Sequence, residues 1–109
     1  IMKLCFLYTA LLEAFTKEDP TLRRVSEHFP FAATTVNFGP EAICGVHMDY
    51  ANFISGLCLV IALGVYDHTK GGHIVLHEPK VIVEFAPGDF IFFPSAGITH
   101  SNTRIQAGE

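Results

Sequence analysis

Tryptophan is absent from this 109-residue chain, methionine occurs twice and cysteine three times. Cys5, Cys44 and Cys58 are odd in number and have no Cys-x-x-Cys spacing. A disulfide framework is therefore not expected, and a reducing, intracellular compartment, cytoplasmic or nuclear, is the simplest reading. Positive charge is scarce as well. Seven Lys and Arg against eleven Asp and Glu leave a formal charge of −4. They form no basic stripe, so the chain has no self-sufficient electrostatic grip on nucleic acid. Long apolar runs are missing too. The run over residues 4–12 ends at Glu13, is too short to span a bilayer, and is followed by no Ala-x-Ala cleavage pattern. It is read neither as a signal peptide nor as a membrane anchor, and no membrane partner is expected. The chain starts at Ile1, which reads as a piece of something longer.

Half of the residues are apolar, enough for the core of one domain. Leu4, Leu7, Tyr8, Leu11, Leu12 and Phe15 recur at three- and four-residue spacing, which predicts an amphipathic helix over 2–17. Asp19-Pro20 predicts a second helix, running to about His28 and stopped by Pro30. From Phe31 onward the period becomes strand-like. Strands are predicted over 32–38, 43–46, 55–63, 73–78, 80–85 and 90–93, with a seventh from Ile98 towards Ile105. The third is nearly all apolar and is expected to be buried on both faces. Gly39-Pro40, Gly71-Gly72 and Pro87-Gly88-Asp89 supply turns. The fold class expected is mainly β with N-terminal helices: a helical segment at 1–29 and a sandwich or jelly-roll barrel at 30–109.

The chemistry-bearing stretch is His47-Met48-Asp49. Residues two apart on extended chain point to one side, so an imidazole and a carboxylate can reach one ion together. His100, following the bend at Pro94-Ser95-Ala96-Gly97, is placed to join them at the barrel mouth. Two imidazoles and one carboxylate on one face of a metal leave positions open, the ligand set of non-haem Fe(II) oxygenases. The pair His-x-Asp alone is weak, and a lone His at a strand end is more often a hydrogen-bonded surface residue. Asn37 and Asn52 either line the pocket or close turns. His68, His73 and His77 are read as surface residues, because four residues of extended chain separate the last two too widely for one ion. Tyr50 is read as a rim residue rather than a stacking platform, and Phe90, Phe92 and Phe93 as core and turn packing.

Several pieces occur in order: Pro30-Phe31-Ala32; Val36-Asn37-Phe38-Gly39-Pro40; His47-Met48-Asp49 with Asn52; Ala62-Leu63-Gly64; Gly71-Gly72-His73-Ile74-Val75-Leu76; Pro87-Gly88-Asp89; and Ser95 through His100-Ser101-Asn102. Together they resemble the double-stranded β-helix (cupin-like) domain of 2-oxoglutarate/Fe(II) dioxygenases, and more narrowly its fungal TET/JBP-like branch. The resemblance implies His47, Asp49 and His100 as iron ligands, with 2-oxoglutarate as co-substrate, and Asn37 and Asn52 beside it. It implies oxidation of a C–H bond with release of succinate and CO2. In that branch the substrate is the methyl group of a modified or thymine base in nucleic acid, flipped out of the stack. The family also places an Arg on its last barrel strand for the far carboxylate of 2-oxoglutarate. Arg104 lies too close to His100 to match it. The expectation is a barrel incomplete at its C-terminus that binds Fe(II) weakly and turns over poorly. Two other functions fit the residues: a non-catalytic or truncated barrel module, as in a transposon-associated copy, and a cupin-like binder or hydrolase using the same ligands with zinc.

Overall fold

The structure, a computed structural model, describes residues 1–109. It divides into two compact units, Ile1–Asn37 and Phe38–Glu109. The sequence pattern predicts two helices and seven strands. The structure has one helix and five short strands, which do not close into a barrel.

In the first unit, helix α1 spans Met2–Glu18 and ends where Asp19 takes an extended conformation. Its apolar residues follow the predicted spacing, yet none is fully buried. The second predicted helix does not form. Asp19 does accept from the Thr21 N–H (3.0 Å) and hydroxyl (2.6 Å), the local signature of a helix start. Propagation fails because fewer than ten residues separate this turn from Pro30, too few to offset nucleation without packing. Phe29 and Phe31 lie with ring centroids 5.4 Å apart, and Tyr8 meets Phe31 edge-on at 6.0 Å. The strand predicted over 32–38 is absent as well, and its residues from Ala32 on are exposed.

The second unit holds β1 (Cys58–Ile61), β2 (Ile74–Leu76), β3 (Val81–Val83), β4 (Phe90–Phe93) and β5 (His100–Asn102). β1 pairs antiparallel with β4, Cys58 opposite Phe93 and Ile61 opposite Phe90. β2 is central in a second antiparallel sheet of order β3-β2-β5. The alternation read at β2 holds: Ile74 and Leu76 are buried and Val75 less so. They form the core with Ala62, Phe85 and Phe93, and Val60, Val83 and Ile91 pack against it from the other strands. β1 is shorter than expected and only partly buried, with Ile61 exposed. Of the aromatic cluster in β4, Phe93 is core whereas Phe90 is exposed.

Turn chemistry sets the connections. Asp89 N–H returns to Ala86 O (2.9 Å) around Pro87 and Gly88, and Gly88 has φ 92°, as a type II turn requires. The Asp89 carboxylate accepts from the Ala86 N–H (3.0 Å), closing the turn from its other side. The segment predicted as a strand over 43–46 forms no ladder. It meets β5 through a single antiparallel bridge, His47 to His100. No helix is long and apolar enough to cross a membrane.

Candidate metal centre

The bridge that joins residue 47 to β5 is what brings two distant stretches of sequence together. His47 N–H donates to His100 O (3.0 Å) and His100 N–H to His47 O (2.9 Å). Directly opposed residues in an antiparallel pair project their side chains to the same face. The two imidazoles accordingly sit with ring centroids 4.3 Å apart and planes tilted by 53°. Asp49 N–H donates to Ser95 O (3.0 Å), which turns the chain so that its carboxylate faces both rings. Oδ1 lies 3.5 Å from His47 Nε2 and Oδ2 lies 4.0 Å from His100 Nε2. One ligand atom from each of His47, Asp49 and His100 lies within 4.8 Å of the others.

Backbone carbonyls decide the state of the rings. His47 Nδ1 is 2.7 Å from Gly45 O, and His100 Nδ1 is 2.9 Å from Ile98 O. A carbonyl only accepts, so in both rings Nδ1 bears the hydrogen, and in the neutral ring Nε2 presents a bare lone pair. Two such lone pairs and a carboxylate converge with no donor among them. A cation relieves that arrangement: a proton on Nε2 makes an ion pair, and a metal ion serves all three groups. This is how metal-binding histidines are normally oriented, with the second ring nitrogen donating to a fixed acceptor. Donors held about 2.1 Å from a shared ion and at right angles are about 3 Å apart. The separations observed, up to 4.8 Å, are wider, and an ion would draw the three groups together. The donor set therefore fits a divalent metal.

The site is open on one side. The side chains of His47 and Asp49 are 39% and 34% exposed and that of His100 is 12% exposed. Phe93 covers His100 edge-on at 4.8 Å. Asn52 Nδ2 donates to Ser95 Oγ (3.0 Å) and reaches Asp49 Oδ2 (3.4 Å), so Asn52 steadies the carboxylate. Ser95 is 1% exposed and holds Asp49 through its backbone and Asn52 through its side chain. Asn37 is exposed and is the last residue of the first unit. Arg104 is exposed and pairs with Glu41 at 3.7 Å. A cavity bordered by Pro40, Glu41, Arg104 and residues 105–109 includes none of the three ligand candidates.

The other histidines are held by protein groups. His68 Nδ1 meets the Glu84 carboxylate at 2.6 Å, His73 Nε2 donates to His68 O (2.7 Å), and His77 Nε2 meets Ser101 Oγ at 3.0 Å. Sequence reasoning missed two supporting residues, Ser95 and Asn102. The Asn102 side chain bonds to residues 42 and 44, far away in sequence. No local spacing signals such a partner. In comparisons with known proteins, no family model, curated protein or solved structure matches this chain.

Proposed function

We propose that this chain is the metal-binding β core of a 2-oxoglutarate/Fe(II)-dependent dioxygenase that oxidises a C–H bond. The candidate substrate is the methyl group of a modified or thymine nucleobase. One observation carries the reading: His47, Asp49 and His100 converge with both imidazoles oriented by Nδ1 hydrogen bonds so that Nε2 faces the carboxylate. The route of the chain adds support. It passes from one sheet at β1 to the other at β2 and β3, returns at β4, and crosses again at β5. Alternation between two facing sheets is the plan of a jelly roll.

In this reading His47, Asp49 and His100 would hold Fe(II), which with dioxygen as oxidant and 2-oxoglutarate as the co-substrate oxidised to succinate and CO2 would supply the redox chemistry that the side chains lack. The carboxylate of Asp49 offsets part of the ion's charge, and Asn52 fixes its orientation. The Phe93 ring keeps water from one side of His100. The open side of the site is where co-substrate and substrate enter.

A second reading keeps the ligands but not the co-substrate: a cupin-like or hydrolytic site for zinc. It is favoured by the ion pairs of Arg104 with Glu41 and of Lys70 with Asp67, which leave Lys80 as the one Lys or Arg of the second unit without a carboxylate partner. Co(II) titration separates the two. A six-coordinate ion absorbs weakly in the visible and changes when 2-oxoglutarate chelates it, whereas a four-coordinate ion absorbs strongly. The dioxygenase reading expects the first spectrum, with slow succinate release in the presence of Fe(II). Asp49→Ala is expected to weaken Co(II) binding by at least about 100-fold and to abolish that release. A four-coordinate spectrum indifferent to 2-oxoglutarate would establish the zinc-type site instead.

A further inference from the structure

The pairing around the bridge is out of register by one residue. Continued from His47 opposite His100, an antiparallel ladder would put Gly45 opposite Asn102. The Asn102 N–H instead donates to Cys44 O (3.2 Å). The side chain of Asn102 completes the slipped arrangement. Its Oδ1 accepts from the Cys44 N–H (2.6 Å) and its Nδ2 donates to Ala42 O (2.8 Å). One residue thus makes three hydrogen bonds to residues 42–44. The slip has a chemical consequence two residues further on. Gly45 O, which a regular ladder would bind to the Asn102 N–H, is left to accept from His47 Nδ1 at 2.7 Å.

We propose that Asn102 is a positioning residue for the metal site. By clamping residues 42–44 one place out of register, it reserves the Gly45 carbonyl for His47 and so fixes that ring as the Nδ1–H tautomer with Nε2 bare. Asn102 does not touch the ion. It acts through the carbonyl that holds the ligand, and it requires both faces of an amide: an acceptor for Cys44 N–H and a donor for Ala42 O. Aspartate retains only the first, and alanine neither. The inference rests on reading His47, Asp49 and His100 as a metal site, but its main observable needs no metal.

The test is nitrogen NMR of the histidine rings in metal-free protein at about pH 8, where ordinary imidazoles are neutral, together with Co(II) titration. Wild-type protein is expected to show His47 as the Nδ1–H tautomer. Asn102→Ala is expected to shift His47 towards Nε2–H, leave His100 unchanged, and weaken Co(II) binding by about 10-fold. Asn102→Asp, which preserves size and one hydrogen bond, is expected to fall between the two and serves if the alanine variant does not fold. Tyr66→Phe removes the hydroxyl that donates to Phe85 O. It is the control for general destabilisation and should alter neither the tautomer nor the affinity. A His47 tautomer and Co(II) affinity unchanged in a folded Asn102 variant would overturn the proposal. Failure of wild-type protein to bind Co(II) would overturn the metal reading, while the ring spectra would still decide what Asn102 does to His47.

Discussion

Gly71 shows how closely a single position in the second unit is determined. A Cβ there would stand 2.1 Å from Arg104 O and 3.0 Å from the adjoining carbonyl carbon. Both are backbone atoms of the segment that runs on from β5, so neither yields as a flexible side chain would. Gly71→Ala is expected to cost about 1–3 kcal/mol, the range for forced overpacking, read as a lower urea midpoint with an unchanged slope. Gly45→Ala is the comparison: nothing lies within 4 Å of its Cβ. That change should be neutral or slightly stabilising, by up to about 1 kcal/mol through the unfolded chain. Equal losses at the two positions would show that packing against residue 104 is not the cause. At this scale the sequence named three ligand candidates and, of the residues around them, Asn52. His47 and Asp49 stand out by residue type and two-residue spacing, and His100 by residue type, its place after the bend at Pro94-Ser95-Ala96-Gly97 and the resemblance. Ser95 and Asn102 are ordinary residues whose partners lie far along the chain, and only the folded geometry reveals them.

Among the elements, the connection between β2 and β3 reaches the site through one carboxylate. Glu78 accepts from the Thr99 N–H (2.7 Å) and from the Thr99 hydroxyl, fixing the residue just before His100. These hydrogen bonds, led by the hydroxyl, hold the Glu78 carboxyl below its ordinary value of 4.5. A depressed carboxylate stabilises the fold fully above its unfolded value and loses that contribution as pH falls through the lower folded value. Glu78→Gln should therefore lower stability at neutral pH and flatten the decline below about pH 4.5. Thermal melts of both proteins across the acid range measure this, and parallel declines would remove Glu78 as the source. Asp67, held at about 2 mainly by the Lys70 ammonium and by Thr69, titrates lower still and leaves its own acid limb in both proteins. The elements also divide by how far the sequence foretold them. β4 matches its predicted span and β2 its alternation, because each meets an apolar core that a two-residue period reports. The strand expected at 43–46 failed because a ladder needs a partner in register, and Asn102 takes residues 42–44 out of it. The helix expected after Asp19 failed because its start signal is local whereas its stability would have to come from packing.

For the molecule as a whole, chemistry and core sit in one unit. The three ligand candidates, the carbonyls that orient their rings, Asn52, Ser95 and Asn102 all lie between Phe38 and Glu109, as does the buried cluster of Ala62, Ile74, Leu76, Phe85 and Phe93. The first unit has a well-formed helix but buries none of that helix's side chains; Met2 and Phe6 are more than 80% exposed. A helix whose one packed face is only half-buried, as at Leu4, Tyr8 and Leu12, draws little stability from packing and is marginal in water. Residues 38–109 expressed alone should consequently keep the folded core and bind Co(II) with an affinity close to that of the full chain, since the three ligand candidates and the groups that orient them all lie in that piece. Residues 1–37 alone should show little helix by circular dichroism. Loss of Co(II) affinity in a piece 38–109 that still shows dispersed backbone NMR signals would mean that the helical unit takes part in the site. The same piece retaining both signals and affinity would place the metal chemistry within a β unit of two small sheets that share one buried core, with one bridge and one amide clamp tying residues 42–47 to β5.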